Sequence, residues 1–165
     1  MERKNIADKT FTRYWKFFGV GPIAGCISLC LLALLWLLDR SLGHLRIMAH
    51  PLPIRILGAV LIALQICWHL WCMKTIKKWW FGDQLCTTGP YRYVRHPIYA
   101  GWLYLGFIGL ILMFNSWMML LLPLLQYPLL SFLVRPEETM MTGIFGEEYS
   151  RYAARTGRLF PRLFK

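Results

Sequence analysis

The sequence predicts an all-α, polytopic membrane protein of about four transmembrane helices, followed by amphipathic C-terminal helices. Three observations carry that prediction. Of the 165 residues, 57% are hydrophobic and 16% aromatic, too apolar for an ordinary soluble domain of this size. Four apolar runs are long enough, or nearly so, to span a bilayer, which takes about 20 helical residues. The net charge is +11, but the cations flank the apolar runs instead of forming one stripe or patch. That distribution excludes nucleic acid as the expected partner and points to anionic lipid headgroups.

The first run extends from about Phe17 to Leu38 and is closed by Asp39-Arg40. It is too long for a signal-peptide core and lacks a small-residue cleavage pattern, so it reads as a retained anchor. The second runs from about Leu52 to Met73, opened by Pro51 and Pro53 and closed by Lys74. The third covers Ile98 to Phe114, and the fourth Trp117 to Val134, stopped by Arg135-Pro136. Only Asn115-Ser116 separates the last two, which requires a tight antiparallel hairpin.

The basic residues orient these spans. Five Lys/Arg lie in the N-terminal tail, five in the stretch 74–97 and six from Arg135 onward, against Arg40 and Arg46 in the loop 39–51. The bias predicts a multi-pass protein with both termini cytoplasmic. Arg55, the remaining cation, lies near the outer end of the second span, where it can snorkel.

After the fourth span, Pro136 suits the first position of a helix, with Glu137 and Glu138 in its first turn. Met140, Met141, Ile144 and Phe145 give that helix an apolar face, and Gly146 caps it. Glu147 to about Thr156 predicts a second short helix, ended by Gly157. The five cysteines lie mostly in apolar runs and show no Cys-x-x-Cys or Cys/His zinc spacing, so they read as small buried hydrophobes, with no metal site expected. One unit covers 1–165, with the N-terminal spans in 1–82 and the site-bearing core in 83–161.

The chemistry-bearing residues concentrate in Gly89-Pro90-Tyr91-Arg92-Tyr93-Val94-Arg95-His96-Pro97-Ile98-Tyr99-Ala100-Gly101. Pro97 pushes His96 out of helical geometry and is itself a good first helical residue. The third span therefore begins with free N–H groups beside His96, which suits an anion. Tyr91 and Tyr99 add hydroxyls and ring faces. Composition alone also allows a plain interfacial anchor of Tyr and Arg. Glu137-Glu138 has two readings as well: helix capping, or a paired-carboxylate seat for an ammonium group. Glu147-Glu148-Tyr149 with Arg151, Tyr152, Arg155 and Arg158 reads in isolation as a solvated helix laced with ion pairs.

The run Thr88 to Gly101 resembles the signature of the isoprenylcysteine carboxyl methyltransferase family, an Arg-His-Pro-x-Tyr-x-Gly motif. Downstream blocks of that family also occur in order: Glu137-Glu138, then Phe145-Gly146-Glu147-Glu148-Tyr149-Ser150-Arg151-Tyr152, then Arg158 and Pro161. The resemblance covers about half of the chain, 83–161, and phospholipid methyltransferases share a looser version of it. It implies an integral-membrane methyltransferase that uses S-adenosyl-L-methionine, held by the C-terminal half at the cytosolic face. By position it assigns Gln84, Leu85, Cys86, Tyr91, His96, Pro97, Ile98, Tyr99 and Glu137 to the cofactor. The methionine carboxylate suits His96 and the helix N-terminus, and the α-ammonium suits Glu137 or Glu138.

The expected reaction is in-line methyl transfer to a lipophilic small-molecule acceptor entering from the membrane lipids. A carboxylate acceptor needs a cation and no base, and Arg135 is the candidate, because Leu133 stands where the family has its acceptor arginine. An amine or thiol acceptor must lose a proton, for which Glu138, Glu148 or Tyr149 are the candidates. Carboxylate O-methylation is the favoured expectation. The alternatives are phospholipid N-methylation and a non-catalytic protein on the same scaffold.

Overall fold

A computed structural model describes residues 16–162. Among these residues there are helices and two isolated bridges but no strands. Helix α1, Gly21–Ser41, is Leu-rich and carries Pro22 in its first turn. Its 21 residues rise about 31 Å, enough for a hydrocarbon core. It begins later than the apolar run does, because Gly19 adopts φ +53° and breaks the chain ahead of it.

Helix α2, Leu52–Gly82, has 31 residues and rises about 46 Å. The expected end at Met73 and loop from Lys74 are therefore corrected: the helix continues through Lys74, Lys77, Lys78, Trp79 and Trp80. Nothing in that stretch breaks a helix, and its long side chains suit an interface. Asp83 ends it in the left-handed region, φ +49°.

Helix α3, Pro97–Phe114, is π-helical over Trp102–Gly106. The bulge coincides with two close approaches. A Cβ at Gly101 would collide with Trp68 and Gln65 of α2, and one at Gly106 with the Trp102 ring. Lower down, a Cβ on Gly109 would stand 2.9 Å from the Gly58 carbonyl oxygen, so α2 and α3 pack backbone to backbone there.

Asn115, at φ +53°, closes α3. Ser116 accepts from Met118 N at 3.1 Å and starts a 3-10 turn, Trp117–Leu120, before α4, Leu121–Leu133. The two-residue hairpin was legible in sequence; the 3-10 entry was not. Val134 (φ −78°, ψ −6°) joins α4 to α5, Arg135–Phe145, and Gly146 (φ +53°) turns the chain into α6, Glu147–Arg155.

Four of these segments are long and apolar enough to cross a membrane: Gly21–Ser41, Leu52–Gly82, Pro97–Phe114 and Trp117–Phe145. Their outward faces carry Leu29, Leu37, Leu64, Leu70, Leu124 and Phe132, each at least half exposed, and none of these side chains needs a polar partner in lipid. The protein is an integral membrane protein. Its core gathers Ala24, Leu103, Phe107, Ile111, Met119 and Leu122 between α1, α3 and α4. One end is clasped by polar groups: Asp39 accepts from Ser116 Oγ at 2.6 Å and meets His44 Nδ1 at 2.5 Å, while the Asn115 side chain bonds the Met48 backbone. The opposite end is open to polar chemistry.

Candidate functional site

At that other end the helices surround a cavity of about 290 Å³. Its floor and walls come from distant parts of the chain. Helix α2 supplies His69, Met73, Ile76, Trp79 and Trp80; the following loop supplies Leu85, Cys86 and Tyr91. The start of α3 gives Pro97, Ile98 and Tyr99, with Arg95 and His96 just before it. Glu137, Met140 and Met141 come from α5, and Tyr149 and Tyr152 from α6. The stretch Lys16 to Pro22 completes the lining from the N-terminal side.

The centre of the polar wall is Glu137. Its Oε1 accepts from Val20 N at 2.6 Å and from the Tyr99 hydroxyl at 2.9 Å. Its Oε2 lies 3.2 Å from His96 Nδ1. Burial by itself would lower the pKa of the His96 ring. Hydrogen bonding and charge from Glu137 and Glu138 outweigh that, so the ring is held above its ordinary value. Such a ring favours the protonated form beside its two carboxylates.

Glu138 sits about 100° further round the helix and does something else. Its Oε1 accepts from Arg95 Nε at 2.7 Å, and its Oε2 from Arg158 Nε at 3.0 Å and Nη2 at 2.5 Å. His96 Nε2 is 3.4 Å from Oε1, a longer ionic contact. The hydrogen bond to Glu138 also raises Arg158 above its usual value. Arg95 reaches on to the carbonyls of Ala153 at 3.0 Å and Thr156 at 2.5 Å. Backbone bonds Arg95 N to Gly157 O (2.8 Å) and His96 N to Arg158 O (3.1 Å) run alongside. This clasp fixes the loop before α3 against the chain after α6. It also occupies the backbone N–H of His96.

The phenols of Tyr91, Tyr149 and Tyr152 are pushed up by burial, so they are neutral donors at physiological pH. Tyr152 donates to Tyr91 O at 2.7 Å, bracing α6 against the loop. The Cys86 thiol is likewise raised by burial and points to Thr75 O at 3.5 Å. At the rim Lys16 pairs with Asp83 and lies 4.9 Å from the Trp79 ring centre, while Phe17 packs on Trp80.

The residues expected from the sequence divide accordingly. Leu85, Cys86, Tyr91, His96, Pro97, Ile98, Tyr99, Glu137 and Tyr149 line the cavity together. Gln84 is exposed and outside the lining. Glu138 stands behind His96, bound by the two arginines. Arg135 is exposed and its guanidinium lies 5.4 Å from the Phe132 ring centre, away from the cavity, because one-residue steps round α5 turn it outward while Glu137 turns in. Glu148 is also outside the lining. Sequence reasoning missed Trp79 and Trp80, since the apolar run was taken to end before the helix does, and it missed His69, which lies within that run with no local signal of the face it takes. It also missed the Lys16–Val20 stretch, whose bond to Glu137 spans 117 positions.

A helical membrane bundle that encloses a carboxylate, a histidine and a ring of aromatics at one end defines a membrane protein with an internal polar site. The comparison with known families makes the class specific. A profile of the phospholipid methyltransferase family matches residues 53–148, more than half of the chain, and the chain belongs to that family of membrane methyltransferases. The match includes Glu137 and most of the cavity lining. Among curated proteins, the chain is 34% identical over 110 residues to the cobalt-zinc-cadmium resistance protein CzcN of Cupriavidus metallidurans. It is 32% identical over 109 residues to the nickel-cobalt-cadmium resistance protein NccN of Alcaligenes xylosoxydans xylosoxydans. These alignments cover 65% and 64% of this chain and 49% of each relative. The chain thus matches about half the length of both.

Proposed function

We propose that this protein transfers a methyl group from S-adenosyl-L-methionine to a lipophilic acceptor that reaches the cavity from the bilayer. The observation that carries the reading is the Glu137–His96–Tyr99 cluster facing an aromatic-lined cavity, in a chain of a methyltransferase family. The donor set fits such a cofactor. The rings of Trp79, Trp80, Tyr91 and Tyr149 offer faces that attract a sulfonium or ammonium cation. Met140, Met141 and Ile98 suit the adenine, and His96 with Lys16 suits the carboxylate. Trp80 Nε1 is buried without a hydrogen-bond partner among the described residues, and Trp80 lines this cavity. When bound, the cofactor supplies an electrophilic methyl group; the chain's own residues position it and exclude water.

Glu137 is already engaged by Val20 N–H, Tyr99 and His96. Its role in this reading is to hold the N-terminal stretch and His96 around the cofactor as well as to offset positive charge. The acceptor is assigned to the bilayer because the cavity is walled by membrane-spanning apolar helices, and the charge bias supports a site on the cytoplasmic face. A carboxylate acceptor would call for a cation at the site, and Arg135 lies away from it. That favours the second reading, methylation of a lipid amine, over carboxylate O-methylation.

The test is methyl transfer from radiolabelled cofactor into lipid extracts by the purified protein. Glu137→Ala and His96→Ala are expected to lose cofactor binding and transfer together. Wild-type behaviour in both variants would remove the site assignment. Labelled methyl esters among the products would return the reading to carboxylates. The names of the two relatives make growth on cobalt, zinc or cadmium salts a physiological readout for a strain lacking the gene.

A further inference from the structure

Most polar groups lining the cavity are committed to partners within the protein. The Tyr99 hydroxyl donates to Glu137, and Glu137 accepts from Val20 and meets His96. Lys16 pairs with Asp83, Arg95 with Glu138, and the Cys86 thiol with Thr75 O. His69 is different. Its ring lines the cavity, and its Nδ1 is buried with no hydrogen-bond partner among the described residues.

Its position sets it apart as well. Of the α2 residues in the lining, His69 lies deepest in the apolar part of the helix, furthest from the Lys74–Lys78 end. One turn deeper on the same face is Gln65, fully buried, with both Oε1 and Nε2 unpartnered among the described residues. Ile66 and Leu70, beside this file, are more than half exposed on the outer apolar surface. A titratable group inside a membrane segment is expensive to keep and calls for a functional account. So do buried polar atoms left unsatisfied.

We infer that His69 is the base of an acceptor site at the membrane end of the cavity, serving a protic nucleophile (an amine or thiol) carried on an apolar chain. The inference rests on the methyl-transfer reading above. In the step, the bond from methyl carbon to sulfonium sulfur breaks while the bond from methyl carbon to the acceptor nitrogen or sulfur forms. The acceptor's proton passes to the His69 imidazole and is returned to water after product leaves, and the sulfonium becomes a neutral thioether. The remaining ionisable groups suit that task less well. Tyr91, Tyr149 and Tyr152 hold their protons tightly, and His96 is bound between two carboxylates.

The experiment uses the full chain in detergent with dodecylamine, dodecanethiol and dodecanoate as probes, and compares wild type with His69→Ala and His69→Gln. Labelled-cofactor binding is expected to stay within about threefold of wild type in both variants. Transfer to dodecylamine and dodecanethiol is expected to fall about 100-fold in kcat, with KM changed far less in His69→Gln, which keeps a polar side chain but no basicity. Binding of dodecylamine to cofactor-free protein, followed by tryptophan fluorescence, is expected to weaken about tenfold in His69→Ala and to recover in His69→Gln. Wild-type kcat in both variants, or dodecanoate as the sole substrate, would overturn the assignment. Failure of wild type to bind the cofactor would instead overturn the methyl-transfer reading. In that case equal dodecylamine affinity in wild type and His69→Ala would still overturn this one.

Discussion

Removing the Glu138 carboxylate by Glu138→Ala should loosen the whole end of the molecule that carries the site. Two guanidinium groups and the His96 ring converge on it, at 2.7 Å for Arg95, 2.5 Å for Arg158 and 3.4 Å for His96. The side chains of Glu138, Arg95 and His96 are only 14%, 11% and 9% exposed, while Arg158 is 35% exposed. Truncating one partner of a buried ion pair costs about 3–5 kcal/mol, because it strands the other charge. Arg158 can turn to solvent, so its share is discounted to about 1 kcal/mol or less. Arg95 keeps its bonds to Ala153 O and Thr156 O, which softens its loss. A total of about 3 kcal/mol follows, or a fall of roughly 6–12 °C in Tm at 2–4 °C per kcal/mol. Arg158→Ala alone should cost about 1 kcal/mol, and the double variant should show coupling of similar size. The assay is thermal unfolding in detergent, paired with proteolysis of the segment after α6. A Glu138→Ala protein within about 2 °C of wild type, or an Arg158→Ala loss as large as that of Glu138→Ala, would refute the reasoning.

Gly19→Ala should weaken cofactor binding about tenfold, since φ is +53° and the added Cβ would fall on the Glu137 carboxylate; the left-handed backbone alone costs about 1–2 kcal/mol. Gly21→Ala is the matched control, because its Cβ would stand 3.8 Å from the Tyr99 hydroxyl, and labelled-cofactor equilibrium binding reads both. Gly109→Val should cost about 1–3 kcal/mol in detergent Tm by forcing α3 away from the Gly58 carbonyl. The raised pKa of His96 fixes a pH sign. Its contribution to stability is fully present below the unfolded value of 6.5 and is lost as pH rises through the higher folded value. The Tm gap between wild type and His96→Gln should therefore narrow as pH climbs above neutrality, and a gap that widens would contradict the assigned charge state.

Much of the fold was legible because lipid makes it so. A backbone in hydrocarbon must satisfy itself, so apolar length reports a helix almost directly. The hairpin at Asn115-Ser116 and the cap at Gly146 were legible for local reasons, since each depends on a turn the adjacent residues impose. The end of α2 was misplaced because a hydropathy run ends where lysines begin, whereas a helix ends where the backbone is broken, here at Asp83. That error concealed Trp79 and Trp80, and with them one wall of the site.

The sequence by itself determined the four spans, the clustering of cations at their ends, and the presence of a His-Pro cassette with a downstream glutamate pair. Those are properties of composition and short spacing. Tertiary structure alone decided which glutamate faces the cavity, since a step of about 100° on α5 sends Glu137 inward and leaves Glu138 to the arginines. It also decided that Val20 closes on Glu137 and that His69 looks into the same space, contacts between segments far apart in the chain. No local periodicity encodes such contacts, because they depend on how whole helices are set against one another by the Gly58–Gly109 crossing and the Arg95–Glu138–Arg158 clasp.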